Sequence, residues 1–198
     1  MKVLVACEFS GTVRDAFRKR GHDAWSCDLL PTDADPAYHI QRDVFDVIGM
    51  ARWDLAIFHP PCTYLTSSGL HWNKRNPERA KLTEESIDFV LRIAAANIDH
   101  IAIENPIGCL STRWRKPDQI IQPHQFGHDA SKSTCLWLKN LPALVPTNNV
   151  APRLVNGRPR WANQTDSGQN KLGPSPTRWA ERSKTYQGIA DAMAEQWG

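Results

Sequence analysis

Short apolar runs alternate along the chain with segments whose apolar residues recur at helical spacing. The runs that are apolar or rich in apolar residues lie at 3–7, 22–28, 53–58, 100–103 and 133–138. Continuous runs of this length are typical of strands that are buried on both faces of a parallel sheet. Helical spacing predicts helices at 13–20, from Asn76 to about Asn97, and at 188–197. The alternation predicts an α/β fold, and 198 residues are enough for a core of roughly five to seven strands.

The first strand, a turn, a helix and the second strand form a unit of the kind that binds nucleotides. The turn is Glu8-Phe9-Ser10-Gly11-Thr12, and the second strand ends in Asp28, 17 residues after Gly11. In such units the turn and the helix N-terminus hold a cofactor, and the acid contacts ribose hydroxyls. The Gly-x-Gly-x-x-Gly pattern is absent, which disfavours a dinucleotide. A second acid, Asp43, either ends a third short strand at 41–44 or caps a helix at 44–51.

A cysteine and a carboxylate each follow a predicted strand. The strand at 53–58 leads into Pro60-Pro61-Cys62, where the prolines stop regular pairing, and a small polar segment continues to Gly69. The strand at 100–103 leads into Glu104-Asn105-Pro106. Open parallel sheets bind ligands at the carboxyl ends of their strands, so neighbouring strands would bring the Cys62 thiol and the Glu104 carboxylate into one crevice. A buried cysteine in a proline turn and a glutamate in a surface turn are the structural alternatives.

Composition and charge narrow the classes of function without choosing one. The formal net charge of +3, with a pI of about 8.6, permits a phosphate-bearing partner but is weaker than the basic footprint of most duplex-binding proteins. The five cysteines are scattered with no Cys-x-x-Cys pair, which argues against disulfides and structural zinc and for a reducing, cytoplasmic location. His124 and His128 have no acidic or thiolate partner at ligand spacing, so a metal site is not expected. No stretch reaches the ~18 apolar residues of a membrane span.

The composition changes between residues 142 and 184. This stretch holds seven basic residues against two acidic ones, with Trp161 and Trp179 among Gly, Pro, Asn and Ser. Basic residues interleaved with aromatics suit the phosphate and base of a nucleotide, and long irregular stretches in small proteins are more often lids than solvated loops. The predicted organisation is a catalytic core at 1–145, a basic lid or substrate region at 146–184, and a C-terminal helix at 185–198 that returns to the core.

The ordered set of motifs resembles the cytosine carbon-5 methyltransferases that use S-adenosylmethionine, in particular their short phage-type members. Their Pro-Pro-Cys loop is similar to residues 60–69, and their Glu-Asn-Val is similar to Glu104-Asn105-Pro106. Their first motif, Phe-x-Gly-x-Gly, is similar to Phe9-Ser10-Gly11-Thr12-Val13 with the second glycine lost, and their last motif is similar to Thr185-Tyr186-Gln187-Gly188. The resemblance covers residues 1–140. It implies a Rossmann-like class I methyltransferase fold, with a mostly parallel seven-stranded sheet and helices on both faces.

The resemblance also implies a role for individual residues. Cys62 would add to carbon-6 of cytosine, and Glu104 would hold ring nitrogen 3 and the exocyclic amine. A neighbouring basic group would lower the pKa of the Cys62 thiol. The residues that would bind S-adenosylmethionine are Glu8, Phe9, Ser10, Gly11, Thr12, Asp28, Leu29, Asp43, Val44, His59 and Pro60. Those that would bind the cytosine substrate are Pro61, Asn105, Lys132, Arg153, Arg158 and Arg178.

Two departures from the family pattern bear on the substrate. The family's Gln-x-Arg-x-Arg motif is missing, and Lys132, in the stretch 125–134, is the residue that would take its place. Only residues 146–184 occupy the position where family members insert a target-recognition domain. A free deoxycytidine mononucleotide, which needs no base flipping, is therefore the first substrate expected, and DNA of little sequence specificity is the close alternative. The expected partner is thus a nucleotide or DNA and not a membrane, and a homodimer that completes the site stays open.

Two other functions stay open as well. Exocyclic-amine methylation uses Asp/Asn-Pro-Pro-aromatic at the same strand end. Here the residues are His59-Pro60-Pro61-Cys62, which lack both the acceptor side chain and the stacking ring, so this function is disfavoured. A non-catalytic nucleotide- or DNA-binding module on the same fold is the alternative from another class, and it would have no need of the Cys62 thiol.

Overall fold

One seven-stranded sheet organises the protein in the computed structural model, which describes all 198 residues. Its strands are β1 (Lys2–Ala6), β2 (Asp23–Asp28), β3 (His39–Gln41), β4 (Leu55–Phe58), β5 (His100–Pro106), β6 (Gln119–Ile121) and β7 (Thr134–Lys139). Their order across the sheet is β3-β2-β1-β4-β5-β7-β6. Strands β1 to β5 run parallel, and β7 is antiparallel to both of its neighbours. The predicted α/β fold with a mostly parallel seven-stranded sheet is confirmed.

Helices cover both faces of the sheet. They are α1 (Thr12–Lys19), α2 (Val44–Met50), α3 (Ser67–Leu70), α4 (Pro77–Ala94), α5 (Leu110–Arg113), α6 (Arg178–Ser183) and α7 (Gln187–Gln196). Helices α1 and α7 share one core layer with Ile57, and α2 and α4 share the other with Phe58. Neighbouring strand residues point to opposite faces, and full burial of each such side chain contributes about 1.5–3 kcal/mol. No helix has the length and apolar character that crossing a membrane requires.

The longest helix, α4, begins as predicted and ends earlier. Asn76 caps its start, because the Asn76 side chain accepts a hydrogen bond from the Arg79 backbone N–H at 3.0 Å. The helix ends at Ala94 instead of near Asn97. The chain needs these last residues for a turn that places the buried Ile98 in the core directly before β5.

The region predicted as a lid contains more regular structure than its composition indicates. Strands β8 (Arg153–Val155) and β9 (Arg158–Arg160) form a separate antiparallel hairpin. Its two turn residues, Asn156 and Gly157, have φ angles of 50° and 73°, as tight hairpin turns that match the strand twist require. The Asn-Gly pair is a sequence signal for a hairpin, and the prediction of an irregular stretch did not take it into account.

The two histidines weighed as metal ligands take part in packing. His124 stacks on Trp161 with ring centroids 4.2 Å apart, so the residues after the hairpin are anchored on the core. His128 accepts a hydrogen bond at Nε2 from the Gly188 N–H at 2.9 Å. This bond joins the first turn of α7 to the residues that precede β7.

Candidate active site

The loop after β4 is joined to the end of β5 and to the loop that follows β5. The Asn105 side chain donates a hydrogen bond from Nδ2 to the Pro60 carbonyl at 2.8 Å. The Cys109 backbone N–H donates to the Leu65 carbonyl at 2.9 Å. A side chain at Gly108 would overlap the Leu65 carbonyl, so only glycine permits this close approach. The two loops therefore form one unit at the carboxyl edge of the sheet.

Helix α4 holds the same loop from outside. Arg79 donates from Nη2 to the Thr63 carbonyl at 2.9 Å and from Nε to the Gly69 carbonyl at 3.2 Å. Thr83 donates from Oγ1 to the Tyr64 carbonyl at 3.1 Å. Side chains of α4 thus bond to backbone carbonyl groups of this segment. These bonds give the loop a defined path without regular pairing.

Cys62 lies on the exposed part of this loop, so its thiol is open to a substrate. Desolvation by the surrounding protein and the nearby Glu104 carboxylate raise the pKa of the thiol, while Lys132 and Arg182 lower it in part. A basic neighbour, Lys132, thus does lower the pKa of the Cys62 thiol as expected, but desolvation and Glu104 outweigh it, so the net shift of the pKa is upward. At neutral pH the sulfur carries a proton, and it must lose this proton before it attacks.

Glu104 lies on β5 beside the residue that follows β4, and its side chain is 16% exposed. Ile103 pairs with Phe58 in the register of the two strands, so Glu104 and His59 are neighbours one position on. The His59 Nδ1 and Glu104 Oε2 atoms are 3.3 Å apart. Burial alone raises the pKa of Glu104, but the His59 hydrogen bond and the Lys132 charge outweigh burial and lower it.

The two shifts leave the Cys62–Glu104 pair with one proton at neutral pH, on the sulfur. Nucleophilic addition to an electron-poor ring, with protonation of a ring nitrogen, needs the opposite arrangement: a thiolate and a carboxylic acid. The site therefore needs other groups that deliver a proton to Glu104 and take one from Cys62. The pair itself brings a thiol and a carboxylate into one crevice.

In the turn after β1, the side chain of Glu8 bonds to groups of the same turn and of the helix that follows it. Glu8 is buried, and its Oε1 accepts hydrogen bonds from the Val13 N–H at 2.7 Å and from the Ser10 hydroxyl at 3.2 Å. Gly11, just before α1, has a φ of 71°, which glycine adopts without strain. Burial raises the pKa of Glu8, and the His59 charge and backbone hydrogen bonds lower it only in part. The α1 N-terminus, predicted to hold a cofactor, thus already holds a carboxyl group of the protein.

Two acids, Asp28 at the end of β2 and Asp43 after β3, lie near Cys7, the residue that follows β1. Asp28 accepts the backbone N–H two residues ahead at 3.0 Å, and the adjacent Leu29 is 69% exposed. Asp43 makes the same bond at 2.8 Å and caps α2, whose first residue, Val44, is buried. The helix-cap alternative for Asp43 is confirmed, and β3 ends two residues earlier. Burial, aided by the charges of both carboxylates, raises the pKa of the Cys7 thiol.

Residues 178–185, which we call the α6 segment, cover the turn after β1. The Trp179 and Phe9 ring centroids are 5.7 Å apart. The Lys184 Nζ and Asp33 Oδ2 atoms are 2.9 Å apart. The cavity that remains between the turn and the segment has a volume of about 10 Å³. This volume is close to the least that holds one water molecule.

Lys132 is the predicted substrate residue whose charge reaches both candidate catalytic groups. It lies just before β7, and it lowers the pKa of both Cys62 and Glu104. Its Nζ donates a hydrogen bond to the Arg182 carbonyl at 2.9 Å. Lys132 therefore connects the carboxyl edge of the sheet with the α6 segment.

The other predicted substrate residues are scattered. Pro61 is exposed beside the cysteine, whereas Asn105 is buried and bonded to the loop backbone. Arg178 begins α6, and its buried Nε has no hydrogen-bond partner. Arg153 and Arg158 lie on the β8–β9 hairpin, where Arg153 is 2.6 Å from an aspartate oxygen. The hairpin arginines thus belong to a sheet separate from the one that carries the site.

Three residues next to the site, Arg79, Thr83 and Arg14, were not among the predicted site residues. Arg79 and Thr83 are four positions apart on α4, so they lie on the same side of the helix. The sequence indication of their role was a threonine on the apolar face of this helix. Arg14 is fully buried on α1 and donates from Nη1 to the Ser26 hydroxyl at 3.1 Å. The pattern of apolar residues does not indicate that a charged residue such as Arg14 is buried on the core side of a helix.

No protein-family model matches the sequence, and no curated protein matches it. Among solved structures, a prophage-encoded protein of E. coli, assigned as a DNA modification methyltransferase, is 13% identical with a TM-score of 0.47, covering 79% of this chain and 53% of that one. The Dnmt2 methyltransferase of S. pombe is 15% identical with a TM-score of 0.47, covering 72% of this chain and 51% of that one. The chain matches about half the length of each of these proteins.

Proposed function

We propose that this protein transfers a methyl group from S-adenosylmethionine to carbon-5 of cytosine. The observation that carries the proposal is an exposed cysteine beside a carboxylate from the adjacent parallel strand, at the carboxyl edge of the sheet. The motif resemblance supports it, because Pro60-Pro61-Cys62, in the loop after β4, is bonded to Glu104-Asn105-Pro106, at the end of β5. A module that only binds nucleotides would not need a thiol at this place.

The residue types follow from the chemistry of the base. Carbon-5 of cytosine is a poor nucleophile until a group adds to carbon-6. The Cys62 thiolate forms a bond to carbon-6, the electron pair moves to ring nitrogen 3, and Glu104 in its acid form protonates that nitrogen. S-Adenosylmethionine, when bound, supplies a methyl group on a positively charged sulfur. Loss of the carbon-5 proton to a base then lets the sulfur–carbon bond break, and Cys62 leaves as a thiolate.

The residues around the turn after β1 suit S-adenosylmethionine in kind. Asp28, at the end of β2, and Asp43, at the start of α2, are the carboxylates that would bind ribose hydroxyls and the adenine amine. Phe9 offers an apolar face. The cavity of about 10 Å³ beside Phe9 is too small for the methionine part of the cofactor. Cofactor binding therefore requires the α6 segment to move away from this turn.

The surroundings of Cys62 favour a polynucleotide over a free nucleotide as the carrier of the cytosine. Trp72, Lys74 and Arg75 follow the catalytic loop in the chain and are exposed. Such residues stack on bases and contact phosphates along a strand. Arg153 and Arg158, which would clamp a mononucleotide, lie on a separate hairpin. We therefore place DNA first and a deoxycytidine mononucleotide second.

Covalent trapping tests the proposal. The protein is incubated with tritiated S-adenosylmethionine and either DNA that contains 5-fluorocytosine or 5-fluoro-dCMP, because fluorine at carbon-5 blocks release of the enzyme. We expect a labelled adduct that survives denaturation and is absent in Cys62→Ala. Cys109→Ala is the matched control and should form the adduct normally.

An adduct that persists in Cys62→Ala, or no adduct with either substrate, would contradict the proposed mechanism. An adduct with the mononucleotide alone would reverse the order of substrates. Tight binding of cofactor and DNA without any methyl transfer would indicate the binding module instead.

A further inference from the structure

His59 lies between the catalytic edge and the turn after β1. Its backbone N–H donates to the Ala6 carbonyl at 2.9 Å, which continues the β1–β4 pairing by one position. Its side chain is 8% exposed, and its Nδ1 lies 3.3 Å from Glu104 Oε2. Its Nε2 is buried without a hydrogen-bond partner. The ring of His59, a predicted cofactor-binding residue, thus contacts Glu104 and also lines the cavity beside Ser10.

We propose that His59 is a positioning residue that orients Glu104 and passes to it the proton used at ring nitrogen 3. This inference rests on the proposed function, because the proton has a use only if Glu104 protonates a base. His59 acts through Glu104, since its own side chain is almost fully enclosed by protein.

The His59 ring contacts one oxygen of the Glu104 carboxylate. Its Nδ1 lies against Oε2, and Thr134 is a second hydrogen-bond neighbour of this carboxylate. Neutral imidazole donates from one ring nitrogen and accepts at the other, whereas imidazolium donates from both. Histidine is the side chain that changes between these forms near neutral pH, which makes it a suitable proton carrier beside a carboxylate.

The free Nε2 has a candidate partner in a small polar cavity. His59 lines this cavity together with Glu8, Ser10 and Thr185, and the volume is about 10 Å³. Buried polar atoms are rarely left without partners, and a site of this size with several polar groups suits a single water. A water at this place would link Nε2 to the Glu8 side of the sheet.

Charged and titratable groups approach His59 from several elements. Glu104 faces it from β5, and Glu8 and Cys7 share its cavity from the turn after β1. The α6 segment contributes hydroxyl groups to this cavity, and Lys132 acts on Glu104 from the start of β7. His59 therefore lies between two buried carboxyl groups, and its charge lowers the pKa of both.

The proton transfer balances in both directions. The Nδ1–H bond of a protonated His59 breaks as an O–H bond forms on Oε2 of Glu104. Glu104 then loses a proton as an N–H bond forms at ring nitrogen 3. After Cys62 leaves carbon-6, ring nitrogen 3 returns its proton to Glu104, and Glu104 returns one to His59. No oxidant, reductant or further reactant is needed.

The first test does not depend on activity. The Glu104 carboxyl is followed by ¹³C NMR in glutamate-labelled protein as the pH changes, and its signal is assigned by its loss in Glu104→Gln. Asparagine at position 59 places a donor where Nδ1 stands, whereas phenylalanine keeps the ring without a donor. We expect the pKa of Glu104 to rise by about one pH unit in His59→Phe and by less in His59→Asn. An unchanged Glu104 titration in His59→Phe would overturn the positioning role.

The second test separates orientation from proton transfer. His59→Asn keeps the donor but cannot carry a proton, so kcat should fall about 10²-fold while both KM values stay within about twofold. The pH dependence of kcat between about pH 5 and 8 should flatten. A wild-type pH profile in this variant would overturn the inference. If the asparagine variant does not fold, His59→Phe is assayed in its place, and its kcat should lose the same pH dependence because it carries no titratable ring.

These two tests also separate this inference from the proposed function. Absence of methyl transfer by the wild-type protein would refute the function. The Glu104 titration would still decide whether His59 controls this carboxylate.

Discussion

Replacement of Asn105 by alanine distinguishes a loop-holding role from a substrate-binding one. The Asn105 side chain is 1% exposed, and its hydrogen bond goes to the carbonyl of the buried Pro60. Successive strand residues point to opposite faces, so Asn105 points away from the face that Glu104 uses. Asn105→Ala leaves the Pro60 carbonyl without a partner. We expect the loop to shift and to carry Cys62 with it.

The size of the effect follows from this single bond. An unsatisfied buried polar group costs about 1–3 kcal/mol, so the free energy of unfolding should fall by about 2 kcal/mol. In a protein of this length that loss corresponds to a decrease in Tm of about 4–8 °C. A reacting atom displaced by about 1 Å slows a reaction by about 10²-fold. Adduct formation should slow by about this factor, with little change in the KM for substrate.

Thermal unfolding by circular dichroism and the rate of adduct formation measure the two effects. Gln196→Ala is the matched control, since the Gln196 amide bonds to the Val145 backbone at 2.7 and 2.9 Å near the far end of α7. The control should keep the wild-type rate. If Asn105→Ala keeps the wild-type Tm and instead raises the KM, Asn105 binds substrate and the loop-holding argument is wrong.

Three further predictions concern the turn after β1, its cover and the loop contact. Burial raises the pKa of Glu8 above 4.5, so its contribution to stability is complete below pH 4.5 and is lost as the pH rises through the raised value. Glu8→Gln should therefore flatten the pH dependence of the free energy of unfolding in urea above pH 4.5. Lys184→Ala removes an exposed ion pair with Asp33 that is worth about 0.2–1 kcal/mol. The α6 segment should then open more readily, so calorimetry should show S-adenosylmethionine binding up to about fivefold tighter. Gly108→Ala should abolish adduct formation with the helix content unchanged, because its Cβ would overlap the Leu65 carbonyl.

Each of these predictions has a control or an opposing outcome. A pH slope that persists in Glu8→Gln would assign the slope to other groups. Lys171→Ala, an exposed lysine in the same basic region, should leave cofactor affinity unchanged, and weaker binding in Lys184→Ala would mean that the α6 segment holds the cofactor. An active Gly108→Ala would show that the two loops need not touch.

Much of the fold could be predicted from local patterns. Continuous apolar runs are stable only when both faces are covered, so the β1, β4 and β5 runs indicated a buried parallel sheet. Prolines after β4 marked where its pairing stops, and Asn76-Pro77 marked the start of α4. The hairpin at 153–160 and the α6 helix were overlooked, because a basic, glycine- and proline-rich composition hides short elements.

The sequence by itself determined the buried strands β1, β2, β4 and β5 and the residues at their carboxyl ends, because burial and chain stiffness act over a few neighbouring residues. Only the tertiary structure decided which groups meet there. His59 and Glu104 are 45 residues apart and touch because β4 lies beside β5. The raised pKa of the Cys62 thiol and the cover over Phe9 likewise depend on packing between distant segments. Desolvation and contact are properties of the assembled fold, and no local pattern of residues contains them.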